Sequence, residues 1–111
     1  MYLKESERNN VIILELRGDL LGGDDVSEFK TKVKSLADGG KKNLVLDLSK
    51  VTYINSSGIG MLVAGMTTVT QAGGKLKMAG LEKNIKNIFT ITNLVKVFEV
   101  FDTTDAAAAS F

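Results

Sequence analysis

The chain contains no cysteine, no histidine and no proline. Without cysteine there is no disulfide, and without cysteine and histidine there is no ordinary zinc site. The same two absences remove the imidazole base and the thiol nucleophile on which most covalent hydrolysis rests. A reducing compartment suits such a chain. An excess of charge is lacking too: 14 Lys and Arg stand against 13 Asp and Glu, a net charge of +1. That balance gives no general attraction to nucleic acid or to an anionic membrane. No apolar run reaches the roughly 18 residues needed to cross a bilayer. The opening Met1-Tyr2-Leu3-Lys4-Glu5-Ser6-Glu7-Arg8 is charged, without the apolar core of a secretory signal. A cytoplasmic protein is expected, with no nucleic-acid partner and no direct membrane insertion.

What is present is an ordinary globular composition. The 111 residues are 44% hydrophobic and 24% charged, which suits one domain, residues 1–111, able to bury its own core. Glycine punctuates the chain in place of proline, with pairs at Gly22-Gly23, Gly39-Gly40 and Gly73-Gly74. Two strands are expected at 2–7 and 11–17, joined through Asn9-Asn10, which tolerate positive φ in a tight hairpin. A helix is expected over 24–37, because Val26, Phe29, Val33 and Leu36 recur on one face. Residues 44–48 read as a central strand, apolar on both faces apart from Asp47. A second helix carries Ile59, Leu62, Val63, Met66 and Val69 on one side and the small Gly58, Gly60, Ala64 and Gly65 on the other. A strand at 75–79, a helix from about Glu82, a strand at 97–101 and a last helix capped by Thr103 or Thr104 complete the order β-β-α-β-α-β-α-β-α. That alternation implies an α/β fold with a mixed, mostly parallel sheet and helical crossovers. Met61, Met66 and Met78 read as core fillers, and Lys41-Lys42 as a solvated loop.

Functional surfaces of open α/β sheets lie beyond the carboxyl ends of the strands. Asn55-Ser56-Ser57 falls there, at the start of the second helix. Free backbone N–H groups and the helix dipole make that position able to hold an anion. Asn55, Ser56 and Ser57 are all favoured N-caps, so any of them can be the cap while a neighbour faces solvent. Serine catalysis would need a base, and the turn lacks the G-x-S-x-G nucleophile elbow. Neither a G-x-x-x-x-G-K-[ST] nor a G-x-G-x-x-G pattern is present, so no nucleotide loop and no cofactor are expected. Gly58-Ile59-Gly60 reads as close packing of the helix on the sheet. Asp19 and Asp47 read as strand-end residues and not as metal ligands. Gly18-Asp19-Leu20-Leu21-Gly22-Gly23 is a second strand-to-helix turn on the same sheet edge.

Taken in order, Gly18-Asp19-Leu20, Leu46-Asp47-Leu48-Ser49-Lys50-Val51-Thr52-Tyr53-Ile54, Ser56-Ser57-Gly58-Ile59-Gly60, Gly73-Gly74-Lys75-Leu76, Ile88-Phe89-Thr90-Ile91-Thr92-Asn93-Leu94 and Phe98-Glu99-Val100-Phe101-Asp102 resemble the STAS domain. The resemblance covers nearly the whole chain and looks closest to the small bacterial anti-sigma factor antagonists. It implies a non-enzymatic, protein-binding module of a partner-switching pathway. In that family the first serine of the Ser-Ser-Gly turn, here Ser56, is phosphorylated by a serine kinase that is itself the anti-sigma factor. The unphosphorylated antagonist binds the kinase and frees the sigma factor; a serine phosphatase restores the serine. The partner surface this implies comprises Asp19, Leu20, Gly22, Ile54, Asn55, Ser56, Ser57, Gly58 and Ile59. One departure stands beside the acceptor. The family's usual residue before the serine is aspartate, and here it is Asn55, which keeps size and capping ability but loses the charge. The resemblance also admits a second class, a phosphorylation-independent accessory subunit of a membrane transport system. The apolar-and-small face of the second helix leaves room for a weak homodimer.

Overall fold

Asn9 and Asn10 adopt φ of 53° and 67°, the left-handed values of a two-residue hairpin turn. They join β1 (Tyr2–Arg8) to β2 (Val11–Leu20) in antiparallel register, Arg8 opposite Val11 and Tyr2 opposite Arg17. The computed structural model describes residues 2–111. After the hairpin come α1 (Asp24–Asp38), β3 (Asn43–Ile54), α2 (Ser56–Gln71), β4 (Lys75–Ala79), α3 (Lys83–Ile91), a 3-10 turn (Leu94–Lys96), β5 (Glu99–Phe101) and α4 (Thr104–Ala109). The five strands lie side by side in chain order, and all pairs after the first are parallel. The mixed, mostly parallel sheet is the one expected.

Sequential strand order has a consequence. Right-handed crossovers that step always in one direction place their helices on one face of the sheet. That face is the main core. Ile12, Leu14 and Leu16 of β2, Leu44, Leu46 and Leu48 of β3, and Leu76 and Met78 of β4 pack there against Phe29, Val33, Met61, Leu62, Val69, Ile85 and Phe89. The alternate residues Val11, Ile13, Val45 and Ala79 point the other way and pack against Ala107 of α4. The period-2 alternation of side chains divides the strands between the two layers.

β3 departs from the expected strand, which stopped at residue 48. Against β2 it carries two extra residues: Glu15 and Arg17 pair with Asp47 and Lys50, and Gly18 and Asp19 with Val51 and Tyr53. Each bulge re-phases the alternation. On the main-core face the buried positions therefore fall at Leu44, Leu46, Leu48, Val51 and Ile54, a spacing that no longer reads as a strand beyond Leu48. β5 is shorter than expected because the Val97 and Phe98 N–H groups still donate to the Leu94 carbonyl of the 3-10 turn, which follows Asn93 at φ 62°. Thr103 is the cap of α4, accepting from the Ala106 N–H. Lys41 is half-buried and bonds Glu7 at 3.1 Å, so only Lys42 is the solvated loop residue expected.

The second face is closed by one buried lysine. Lys77 Nζ donates to Ser110 Oγ at 2.7 Å and to the Ser110 carbonyl at 3.0 Å, and lies 3.3 Å from Glu99. The rings of Phe111 and Phe101 flank it at 4.4 and 5.7 Å. A buried ammonium needs its donors satisfied, and here the residues after α4 satisfy them. Lys77→Ala should lower unfolding stability in urea by about 2 kcal/mol, since charge-assisted hydrogen bonds and stem packing are lost together.

Glu15 sits at the first bulge, 2.9 Å from Arg17 Nε and 3.5 Å from Lys50. The hydrogen bond from Arg17 holds its carboxyl below the usual range against the opposing effect of burial, and the charges of Arg17 and Lys50 add to the lowering. A depressed folded value means stability present above the unfolded pKa and lost as pH falls through the folded one. Wild type and Glu15→Gln should therefore differ in denaturant midpoint at neutral pH and converge below about pH 4.

Candidate functional site

The end of β2, the end of β3 and the start of α2 meet at one point. Asn55 is the only residue between β3 and α2, and all of its polar groups are used. Its backbone N–H donates to the Leu20 carbonyl at 3.2 Å, and its own carbonyl accepts from Ile59 at 2.9 Å. Its Oδ1 accepts from the Gly58 N–H at 2.8 Å, which makes it the N-cap of α2. Its Nδ2 donates to the Leu21 carbonyl at 3.1 Å. Of the three candidate caps the structure selects Asn55, and Ser56 and Ser57 are both exposed.

Two glycines permit this closeness. A Cβ on Gly58 would run into the Leu20 carbonyl and stand 2.9 Å from Ile54 Cγ1. Gly22, at φ +86°, would place a Cβ 2.6 Å from that of Ser57. Gly60 is different: it is exposed, and a Cβ there would meet nothing within 4 Å. The expectation that Gly60 serves sheet packing is therefore corrected. Gly65 has the packing role on that helix, where the Phe29 ring would stand 2.5 Å from an added Cβ.

The expected partner surface divides into two groups. Asp19, Ser56 and Ser57 are exposed, and Asn55 and Ile59 half-buried. Leu20, Gly22, Ile54 and Gly58 are buried. Leu20 and Ile54 belong to the core, while Gly22 and Gly58 shape the junction. Two residues outside the expected set are exposed beside these positions, Leu21 at 49% and Tyr53 at 52%. The signal for both lay in the alternation. Once β2 continues to a buried Leu20 and β3 to a buried Ile54, Leu21 and Tyr53 must face outward. Asp19 pairs with Tyr53 across the sheet end and accepts from Thr52 Oγ1 at 3.1 Å.

Chemically the site offers a free hydroxyl and no machinery. Among the described residues Ser56 Oγ makes no hydrogen bond, and the first turn of α2 carries no acidic residue. A serine with no base beside it is not an activated nucleophile. An acceptor for a group delivered by another protein needs only exposure and a fixed position. A groove of about 550 Å³ lies elsewhere, lined by Leu3, Ser27, Glu28, Thr31, Lys32 and Ser35. None of the residues around Ser56 lines it.

A sheet in chain order, helical crossovers on one face and an exposed serine at the start of α2 define a STAS-type binding domain. The STAS domain family model matches residues 2–107, and the chain belongs to that family. BtrV of Bordetella bronchiseptica, assigned by name to the anti-sigma factor antagonists, is 25% identical over the whole chain and 95% of its own length. A Thermotoga maritima protein assigned to the same group superposes with a TM-score of 0.87 at 22% identity, covering 97% of this chain and 92% of the other. The anti-sigma factor antagonist SpoIIAA of Bacillus superposes in an unphosphorylated and in a phosphorylated form. The unphosphorylated form gives a TM-score of 0.74 at 14% identity, covering 98% and 96% of the two chains. The phosphorylated form gives 0.75 at 15%, covering 98% and 97%. At these identities the structures speak for the fold alone. Among the described residues, no helix is long and apolar enough to cross a membrane.

Gly58 and Gly60 are two residues apart in one helical turn, yet their surroundings predict opposite effects. Gly58→Ala should cost about 1–3 kcal/mol, because backbone cannot yield to the added methyl. Gly60→Ala should gain about 0.5–1 kcal/mol from helix propensity alone. Parallel thermal and urea denaturation of the two variants checks the contrast.

Proposed function

We propose that the chain, residues 1–111 acting as one domain, is an anti-sigma factor antagonist of a partner-switching pathway. It works in the cytoplasm as a binding module and not as an enzyme. Unphosphorylated, it binds an anti-sigma factor that is a serine kinase; phosphorylation of Ser56 releases it, and a serine phosphatase restores it. The observation that carries this reading is Ser56 itself: exposed, unbonded among the described residues, and held at the start of α2 inside a family match over residues 2–107. The relatives named as antagonists support it.

The physics of the switch follows from that position. A phosphoserine adds about −1.5 to −2 charges. At a helix N-terminus the dipole and free N–H groups favour it, so the fold need not change. The partner feels it differently. An enzyme that phosphorylates Ser56 must hold ATP against the hydroxyl, so the product phosphoserine stands against the phosphates of the diphosphate left behind. Like charges meet in a site cleared of water. A thousandfold loss of affinity needs only about 4 kcal/mol, within the cost of an uncompensated buried charge.

One observation favours the second reading, an accessory subunit of a transport system that never carries phosphate: the neutral Asn55 beside the acceptor. A single experiment separates the two. With the purified anti-sigma serine kinase of the same organism and ATP, mass spectrometry should place one phosphate on Ser56 and none on Ser56→Ala. Ser56→Asp should bind that kinase at least about 100-fold more weakly than wild type, a loss near 2.7 kcal/mol. No phosphate on wild type, with co-purification of an ATP-binding transport subunit, would favour the second reading instead.

A further inference from the structure

Leu21 is a large aliphatic side chain held in water by its own backbone. It is 49% exposed, yet Leu20 before it and Gly22 after it are both buried. The segment cannot drift. Leu20 accepts from the Asn55 N–H, Leu21 accepts from Asn55 Nδ2 at 3.1 Å, and Gly22 lies against the Ser57 side chain. Asn55 therefore joins two functions in one amide: Oδ1 caps the helix that begins with Ser56, and Nδ2 ties the Leu21 carbonyl to that cap. An aspartate could do the first and not the second, because a carboxylate has no hydrogen to donate.

We propose that Leu21 is an apolar anchor for the kinase that phosphorylates Ser56, and that Asn55 is the positioning residue that sets Leu21 beside the acceptor. The proposal rests on the antagonist reading above. Its argument is geometric. Any protein that delivers a phosphate to Ser56 Oγ must cover the start of α2, and the Leu21 backbone is one hydrogen bond from the residue that precedes Ser56. Among the described residues, Leu21 is left 49% exposed. A rigid, pre-positioned apolar side chain loses little entropy when a partner closes over it, so its burial counts nearly in full towards affinity. Tyr53, 52% exposed at the neighbouring strand end, extends the same surface.

The test uses the full chain and the purified anti-sigma serine kinase of the same organism. Leu21→Ala should fold with unchanged stability, bind the kinase 10- to 100-fold more weakly, and raise KM for Ser56 phosphorylation while leaving kcat within twofold. Asn55→Ser keeps a neutral capping oxygen but lacks a donor that reaches Leu21. It should raise KM as well and increase fast backbone motion at Leu21 and Gly22 in nitrogen-15 relaxation. In the Leu21→Ala background, Asn55→Ser should add less than a twofold further change, because it acts through Leu21. If Leu21→Ala binds and is phosphorylated as wild type, the anchor is wrong and the antagonist reading stands. If the two changes multiply instead of overlapping, the positioning role of Asn55 is wrong. If Leu21→Ala alters only self-association, the occupant is a second copy and the proposal is overturned. If wild type is neither bound nor phosphorylated, both readings fall together.

Discussion

The structure turns on the contact between the Leu20 carbonyl at the end of β2 and Gly58 in the first turn of α2. There is no room there for even one methyl group. That closeness lets the Asn55 N–H reach the Leu20 carbonyl while its side chain caps the helix and bonds Leu21. Two strand ends and a helix start are thereby drawn into a single rigid junction. Ser56 is the first residue of the helix that leaves this junction, so its place is set by backbone hydrogen bonds. A group fixed in this way can receive a charge without the fold giving way, because the helix start already favours an anion.

The sheet order explains why this point is a surface and not a cleft. Crevices in open α/β sheets form where the strand order reverses and successive crossovers lie on opposite faces. Here β1 to β5 follow one another without reversal, and α1, α2 and α3 share the main core. No crevice opens between diverging crossovers. The carboxyl ends of β2 and β3 present a rim carrying Asp19, Leu21, Tyr53 and Ser56, all exposed. A rim of this kind suits the face of another protein far better than a small substrate, which needs concavity to bury most of its surface. The lack of a base near Ser56 leads to the same conclusion from the chemistry.

Most of the fold was legible because burial and period coincide. The apolar faces of the helices, the alternation in β2 and the Asn9-Asn10 turn each express one local rule. The mismatches occur where two rules interfere. In β3 two bulges shift the buried positions from a spacing of two to a spacing of three, so the residues past Leu48 do not read as strand. A bulge is a relation between strands, and one strand's residues do not display it. For the same reason the chain alone does not show that Leu20 and Ile54 are buried and Leu21 and Tyr53 exposed, since inside and outside exchange with a single step of register. Gly58 and Gly60 look equivalent in the chain, and only the position of the Leu20 carbonyl separates them.

Asn55 shows how a conservative-looking difference can change what a site is made of. Read as a residue type, asparagine in place of aspartate is a lost charge at a helix start, a small electrostatic deficit of a few tenths to about 1 kcal/mol. Read in place, it is a gained donor. The amide bonds in two directions at once and transfers the rigidity of α2 to the turn that follows β2. An aspartate would set a carboxylate oxygen against the Leu21 carbonyl, two acceptors with no hydrogen between them, and the turn would have to move or admit water. The neutral residue thus exchanges a stronger cap for a firmer neighbour. What it adds to the rim is shape, an exposed aliphatic side chain whose backbone is tied through Asn55 to the helix start, and shape is what any protein docking on this rim must match.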